Sequence, residues 1–212
     1  MKLTTAKTTG FLYLGLAVSG IAAFLFANQK LYVDNNAAAT AQNLVNNVSL
    51  ARFGIAAELA LVVLQALTGV WFYKLFRKKD SFTASLIAVF GMVNAVAIMI
   101  ASAMWLGALN SALQNYPDQS QLLYNVHQYI WTVSNLFFGL WLIPMGIMAK
   151  KYKFPTVLAW ILIFGGVGYV LSAFTAVILP DEQSITDLIT MPATIGEFWI
   201  IGYLLVKNPR NL

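Results

Sequence analysis

The sequence predicts an all-α, polytopic membrane protein: one domain over residues 1–212, a bundle of six transmembrane helices with both termini in the cytoplasm. Three observations carry that expectation. Hydrophobic residues make up 59% of the chain and charged residues 10%, with a mean hydropathy of +0.72; a soluble domain carries about 25% charged residues. The apolar residues gather in six runs, most of them near the ~20 residues a helix needs to cross hydrocarbon. The basic residues fall almost entirely on one side of those runs.

The first run covers residues 10–26 and is the shortest. Lys2 and Lys7 precede it, and it reads as a retained signal anchor, not a cleaved signal peptide. Residues 28–49 form the longest connection, and the alanines of "NNAAATAQNLVNNV" suggest a short helix outside the membrane. Asn47-Val48-Ser49 within it matches an N-glycosylation acceptor, a pattern common by chance. The second to fifth runs cover 53–76, 82–108, 122–148 and 156–178. The third and fourth are long enough to tilt. The sixth, 185–206, contains Pro192 and then Thr194-Ile195-Gly196-Glu197, which fits a capping box. A helix starting there is too short to span, so the segment is expected to be two half-helices or kinked at Pro192, starting from a cap at Ser184-Ile185-Thr186-Asp187. No run alternates with period two, which sets aside a lipid-facing β-barrel.

Lys2, Lys7, Lys74, Arg77, Lys78, Lys79, Lys150, Lys151, Lys153, Lys207 and Arg210 lie at one set of run ends. Only Lys30 and Arg52 lie at the other, where Asp34, Asp118, Asp181, Glu182 and Asp187 gather. Eleven against two places both termini in the cytoplasm by the positive-inside rule. The net charge of +5 therefore reports orientation, and no nucleic-acid partner is expected. Membrane lipids are the expected surroundings. Tyr116 and Tyr124 fall near one boundary and Trp71, Tyr73, Tyr152, Trp160 and Tyr203 near the other, as amphipathic rings prefer.

Much chemistry is set aside by what the chain lacks. There is no cysteine and one histidine, so thiolate or polyhistidine metal sites and bis-histidine haem are not expected. A carboxylate-rich site of Glu58, Glu197 and His127 has no supporting motif, and no cofactor is expected. Ser19, Ser102 and Ser134 lack a nucleophile motif around them. Gly165, Gly166 and Gly168 have neither a preceding strand nor a following lysine, and fit close helix approach better than a phosphate loop.

Ionisable groups within spans are costly and face protein or trapped water. Four stand out: Arg52 and Glu58 in the second span, His127 in the fourth and Glu197 in the sixth. Counting the rise of ~1.5 Å per residue, Glu58, His127 and Asn94 fall at similar depth in the outer half, with Glu197 deeper. Glu58 and Gln65 share one helix face, as do Gln128 and Asn135, and His127 stacks over Trp131. Arg52 points about 120° away from Glu58 and needs a carboxylate elsewhere or snorkels to headgroups. For each of these residues helix-to-helix hydrogen bonding is the plain alternative to a ligand contact.

Five stretches carry a resemblance: "TTGFLYLGLAVSGIAAF" (8–24), "ARFGIAAEL" (51–59), "NLFFGLWLIPMGIM" (135–148), "FPTVLAWILIFGGVGYVL" (154–171) and "GEFWIIGYLLVK" (196–207). In order and spacing the chain resembles a family of bacterial six-span membrane proteins known only as a domain of unknown function. The resemblance implies a single six-helix domain in the bacterial cytoplasmic membrane, and makes Arg52, Glu58 and Glu197 family-pattern positions. It carries over no catalytic residue. Where members tend to have Arg after the proline of the fifth segment, this chain has Thr156.

The expected role is binding or transport of a small or amphiphilic ligand in a polar pocket of Arg52, Glu58, Asn94, His127, Trp131, Asn135 and Glu197. The alternative is a structural or accessory membrane protein. An intramembrane acid–base enzyme ranks last. Ligand identity and oligomeric state are not legible.

Overall fold

The computed structural model describes residues 4–207, and these are helical with no strand among them. The first span is composite: α1 (Thr5–Ile21), a π-helical segment (Ala22–Asn28) and the short α2 (Gln29–Leu31). Then come α3 (Ala37–Asn46), α4 (Val48–Phe76), α5 (Ser81–Leu113), α6 (Pro117–Lys151), α7 (Thr156–Ile178) and α8 (Gln183–Lys207). Six helices are long and apolar enough to cross a membrane. All but the fifth outrun their apolar stretches, because polar residues at the ends continue the hydrogen-bond ladder. The first thus runs Thr5–Leu31 over 27 residues, and the fifth, at 23, is the shortest, contrary to the sequence expectation.

Local chemistry explains the connections. Asn36 caps α3 by accepting from the Ala39 amide at 3.0 Å, and the left-handed Asn35 (φ 53°) turns the chain into it. The expected short helix in this connection is thus present. Thr40 Oγ1 donates to the Val33 carbonyl at 3.0 Å and accepts from the Val33 amide at 3.1 Å, fastening α3 to the preceding turn. Asn115 (φ 63°) closes α5, and Pro117 opens α6 where a missing N–H costs nothing. Asp80 caps α5 through the Thr83 amide at 2.9 Å and the Thr83 hydroxyl at 2.6 Å.

The sixth segment decides against one of the two expected versions, the pair of half-helices. α8 is one continuous helix through Pro192, with neither two halves nor a capping box at Thr194. A proline inside a helix removes one N–H donor, here the one that would reach the Leu188 carbonyl, but its φ remains helical. Thr194 then lies mid-helix, its amide already in the ladder, and the Glu197 carboxylate is left to bond elsewhere.

The contacts divide the chain into two compact units, with α1, α4, α5 and α6 each contributing to both. One comprises the chain up to Leu14, Leu64–Asn94 and the chain from Thr132 onward. Within it α7 packs along α8 through small residues. A Cβ on Gly165 would lie 2.5 Å from the Ala193 Cα, and one on Gly166 2.8 Å from the Gly139 carbonyl. The glycines sit where backbones touch, as small residues do between membrane helices. Tyr13, Phe72 and Trp141 fill its interior edge to face, with ring centroids 5.4–6.3 Å apart.

The other unit comprises Gly15–Val63 and Ala95–Trp131. Its core gathers Ala27, Leu31, Leu44, Ala51, Ile55, Trp105 and Tyr124. Gly54 gives Trp105 its room, since a Cβ there would meet the indole and the Ala27 methyl.

Candidate polar centre of the membrane helices

In the second unit, the early part of α6 turns His127 and Trp131 to one side, one helical turn apart. Glu58, ten residues after the start of α4, faces them. His127 Nε2 lies 2.7 Å from Glu58 Oε1, and Trp131 Nε1 donates to the same oxygen at 2.9 Å. Glu58 and His127 are fully buried. Each side chain gives the other a hydrogen-bond partner, which is how two ionisable groups persist in a low-dielectric site.

The surrounding groups are aromatic. The His127 ring lies 5.3 Å from Trp105 and 5.5 Å from Tyr124, and Phe24 meets Trp131 edge to face at 4.5 Å. Glu58 Oε2, His127 Nδ1, Tyr124 Oη and Trp105 Nε1 are buried with no hydrogen-bond partner in the protein. Leaving such groups unpaired costs about 1–3 kcal/mol each, so four of them on residues that pack around one histidine–carboxylate pair are the most informative feature of this unit.

A second polar layer lies on the same side of this unit. Tyr32 Oη donates to Asn125 Oδ1 at 2.7 Å, and Gln121 Nε2 donates to the same atom at 3.0 Å. Burial, and then the neighbouring Asp34, push the Tyr32 hydroxyl up to about 12, so it stays protonated as a donor. Gln128 Nε2 donates to Asn28 Oδ1 at 3.1 Å, and Asn28 closes the π-helical segment. Such segments are rare and concentrate at functional sites. Arg52 is exposed, and among the described residues no carboxylate lies within ion-pair distance of it.

Asn94, Asn135 and Glu197 belong to the first unit. There Tyr13 Oη donates to Glu197 Oε1, and the Tyr169 hydroxyl lies near enough to both to interact electrostatically. Asn135 Nδ2 donates to Ser172 Oγ at 3.4 Å, while Asn94 is buried with Oδ1 unpaired. Gln65 is also buried, with neither amide atom paired.

The structure thus joins Glu58, His127 and Trp131 directly and gives Asn135 and Glu197 partners of their own. Tyr13, Trp105 and Asn28 were not singled out from the sequence, and Tyr124 was read only as a boundary aromatic. Tyr13 carried a usable signal, as a hydroxyl in the middle of an apolar run; the indole and phenol groups were indistinguishable from packing aromatics. Among the described residues no third Asp, Glu or His joins Glu58 and His127 in a group able to hold a metal.

Six apolar spanning helices, with ionisable side chains bonded inside them, define a multi-pass integral membrane protein. A family model described as Domain of unknown function (DUF4386) matches residues 8–208, and the chain belongs to that family. No curated protein and no solved structure matches it.

Proposed function

We propose that the protein binds a small amphiphilic ligand carrying an amine or hydroxyl group, with the Glu58–His127–Trp131 centre as its recognition site. One observation carries this reading: Glu58 Oε2, His127 Nδ1 and the hydroxyl of Tyr124, whose ring packs on that of His127, are buried without hydrogen-bond partners in the protein. A carboxylate oxygen accepts from an ammonium or hydroxyl, and the flanking rings of Trp105, Tyr124 and Trp131 favour a cation. Arg52, exposed on the same helix as Glu58, would meet the ligand before entry. Asn94, Asn135 and Glu197 would serve as polar steps in the other unit if the ligand is moved and not only held. The charge distribution supports residence in a bacterial cytoplasmic membrane with both termini inside.

The test compares thermal unfolding of the purified protein with dodecylamine, dodecanol and dodecanoate. The amine and alcohol are expected to raise the midpoint of the wild type, and Glu58→Gln to abolish the rise while keeping its helical circular dichroism. Equal shifts in wild type and Glu58→Gln would remove the site.

The double hydrogen bond onto Glu58 Oε1 also supports a second reading, in which the centre only locks α4 against α6. Glu58→Gln would then lower the yield of assembled protein, and none of the three amphiphiles would discriminate between the variants.

A further inference from the structure

We propose that an anionic phospholipid binds at the start of α7, its phosphate held by Lys150 and an acyl chain lying in an apolar groove on that helix. The groove has a volume of about 470 Å³ and is lined by Thr156, Val157, Trp160, Ile161 and Phe164. These positions recur at one-turn intervals and form a single exposed face. Trp160 and Phe164 stack with centroids 5.6 Å apart and planes 24° apart, making a smooth apolar wall.

The head of the groove is positive. Lys150 Nζ sits 4.7 Å above the Trp160 ring, which places an ammonium on the groove's own wall. Among the described residues the one lysine–carboxylate ion pair is Lys151 with Asp80, so Lys150 has no acidic partner. None is close in sequence either, since no Asp or Glu lies between Asp118 and Asp181. α7 starts at Pro155 without a side-chain cap, which adds the positive end of its dipole beside the lysine. A second copy or an apolar partner helix would cover the groove and leave this charge unanswered. A phosphodiester with a hydrocarbon tail answers both parts.

The test uses quenching of tryptophan emission by brominated lipids in proteoliposomes. The chain has six tryptophans, and the difference between wild type and Trp160→Phe isolates Trp160. Brominated phosphatidylglycerol is expected to quench Trp160 at a mole fraction about fivefold lower than brominated phosphatidylcholine, the advantage of roughly one lysine. Lys150→Gln should bring the two lipids to equal potency, and Lys150→Arg should keep the preference. Equal quenching in the wild type, or a preference surviving in Lys150→Gln, would overturn the proposal. So would a Trp160 beyond reach of both lipids, the result if another protein segment covers this face.

Discussion

Glu58 and His127, 69 positions apart in sequence, meet at 2.7 Å with both side chains fully buried. Each is the hydrogen-bond partner of a group that could not be left unpaired in hydrocarbon. The relationship is therefore one of mutual dependence more than of added stability. Removing one member of such a pair costs about 3–5 kcal/mol, whereas replacing both with apolar groups is often neutral. Glu58→Met and His127→Met are each expected to destabilise strongly, and the double variant to recover most of the loss. Unfolding in mixed micelles measures the cycle, and additive single effects would show that the two groups do not interact.

Trp131 supplies a second donor to the same oxygen at 2.9 Å. Trp131→Phe keeps the ring against Phe24 and deletes only the N–H. A hydrogen bond contributes about 0.5–1.5 kcal/mol net, so the same unfolding measurement should lose about that amount. The loss should vanish in a Glu58→Met background.

Asp80 links two turns outside the spans. The Lys151 ammonium, followed by Thr83, holds its carboxyl far below the ordinary value of 3.8. A carboxyl depressed on folding stabilises the folded state above its unfolded value, and that contribution is lost as pH falls through the folded one. The stability difference between wild type and Asp80→Asn is thus expected to be constant above pH ~5 and to shrink progressively below pH ~4. A difference that instead fades between neutral and alkaline pH would contradict the assignment.

The glycines of the last two spans divide by surroundings. A Cβ at Gly168 would collide with the Ile189 carbonyl, a backbone atom that cannot rotate away, whereas Gly202 has nothing within 4 Å. Gly168→Ala is expected to destabilise by about 1–3 kcal/mol through overpacking. Gly202→Ala should be neutral or stabilising by up to about 1 kcal/mol through helix propensity. Thermal unfolding of the two variants side by side checks the contrast.

Much of this was legible because hydrocarbon enforces simple rules. Six spans follow from run length, and the connecting helix at 37–46 from its alanines, while its cap at Asn36 came only with the structure. Glu58 and His127 were conspicuous as ionisable groups at matched depth within spans, and Trp131 as the residue one turn from His127. What escaped notice depended on three-dimensional pairing. Tyr13 is the donor to Glu197 from 184 residues away, a distance no local pattern encodes. The choice between two half-helices and one helix through Pro192 stayed open because a proline can break or bend a helix, while the fit of Ala193 against Gly165 acts only once both helices are in place.

The wider coil at Ala22–Asn28 means that the first span holds more residues per turn there than an α-helix would. Its angular register is consequently adjustable: loss of one residue between Ala22 and Asn28 can be absorbed by local return to ordinary α geometry. The same loss within α7 would rotate everything beyond it by about 100° and drive side chains into the seam that its glycines keep open. Length changes in this chain are therefore best tolerated in the membrane segment that carries Phe24 and Asn28 toward α6.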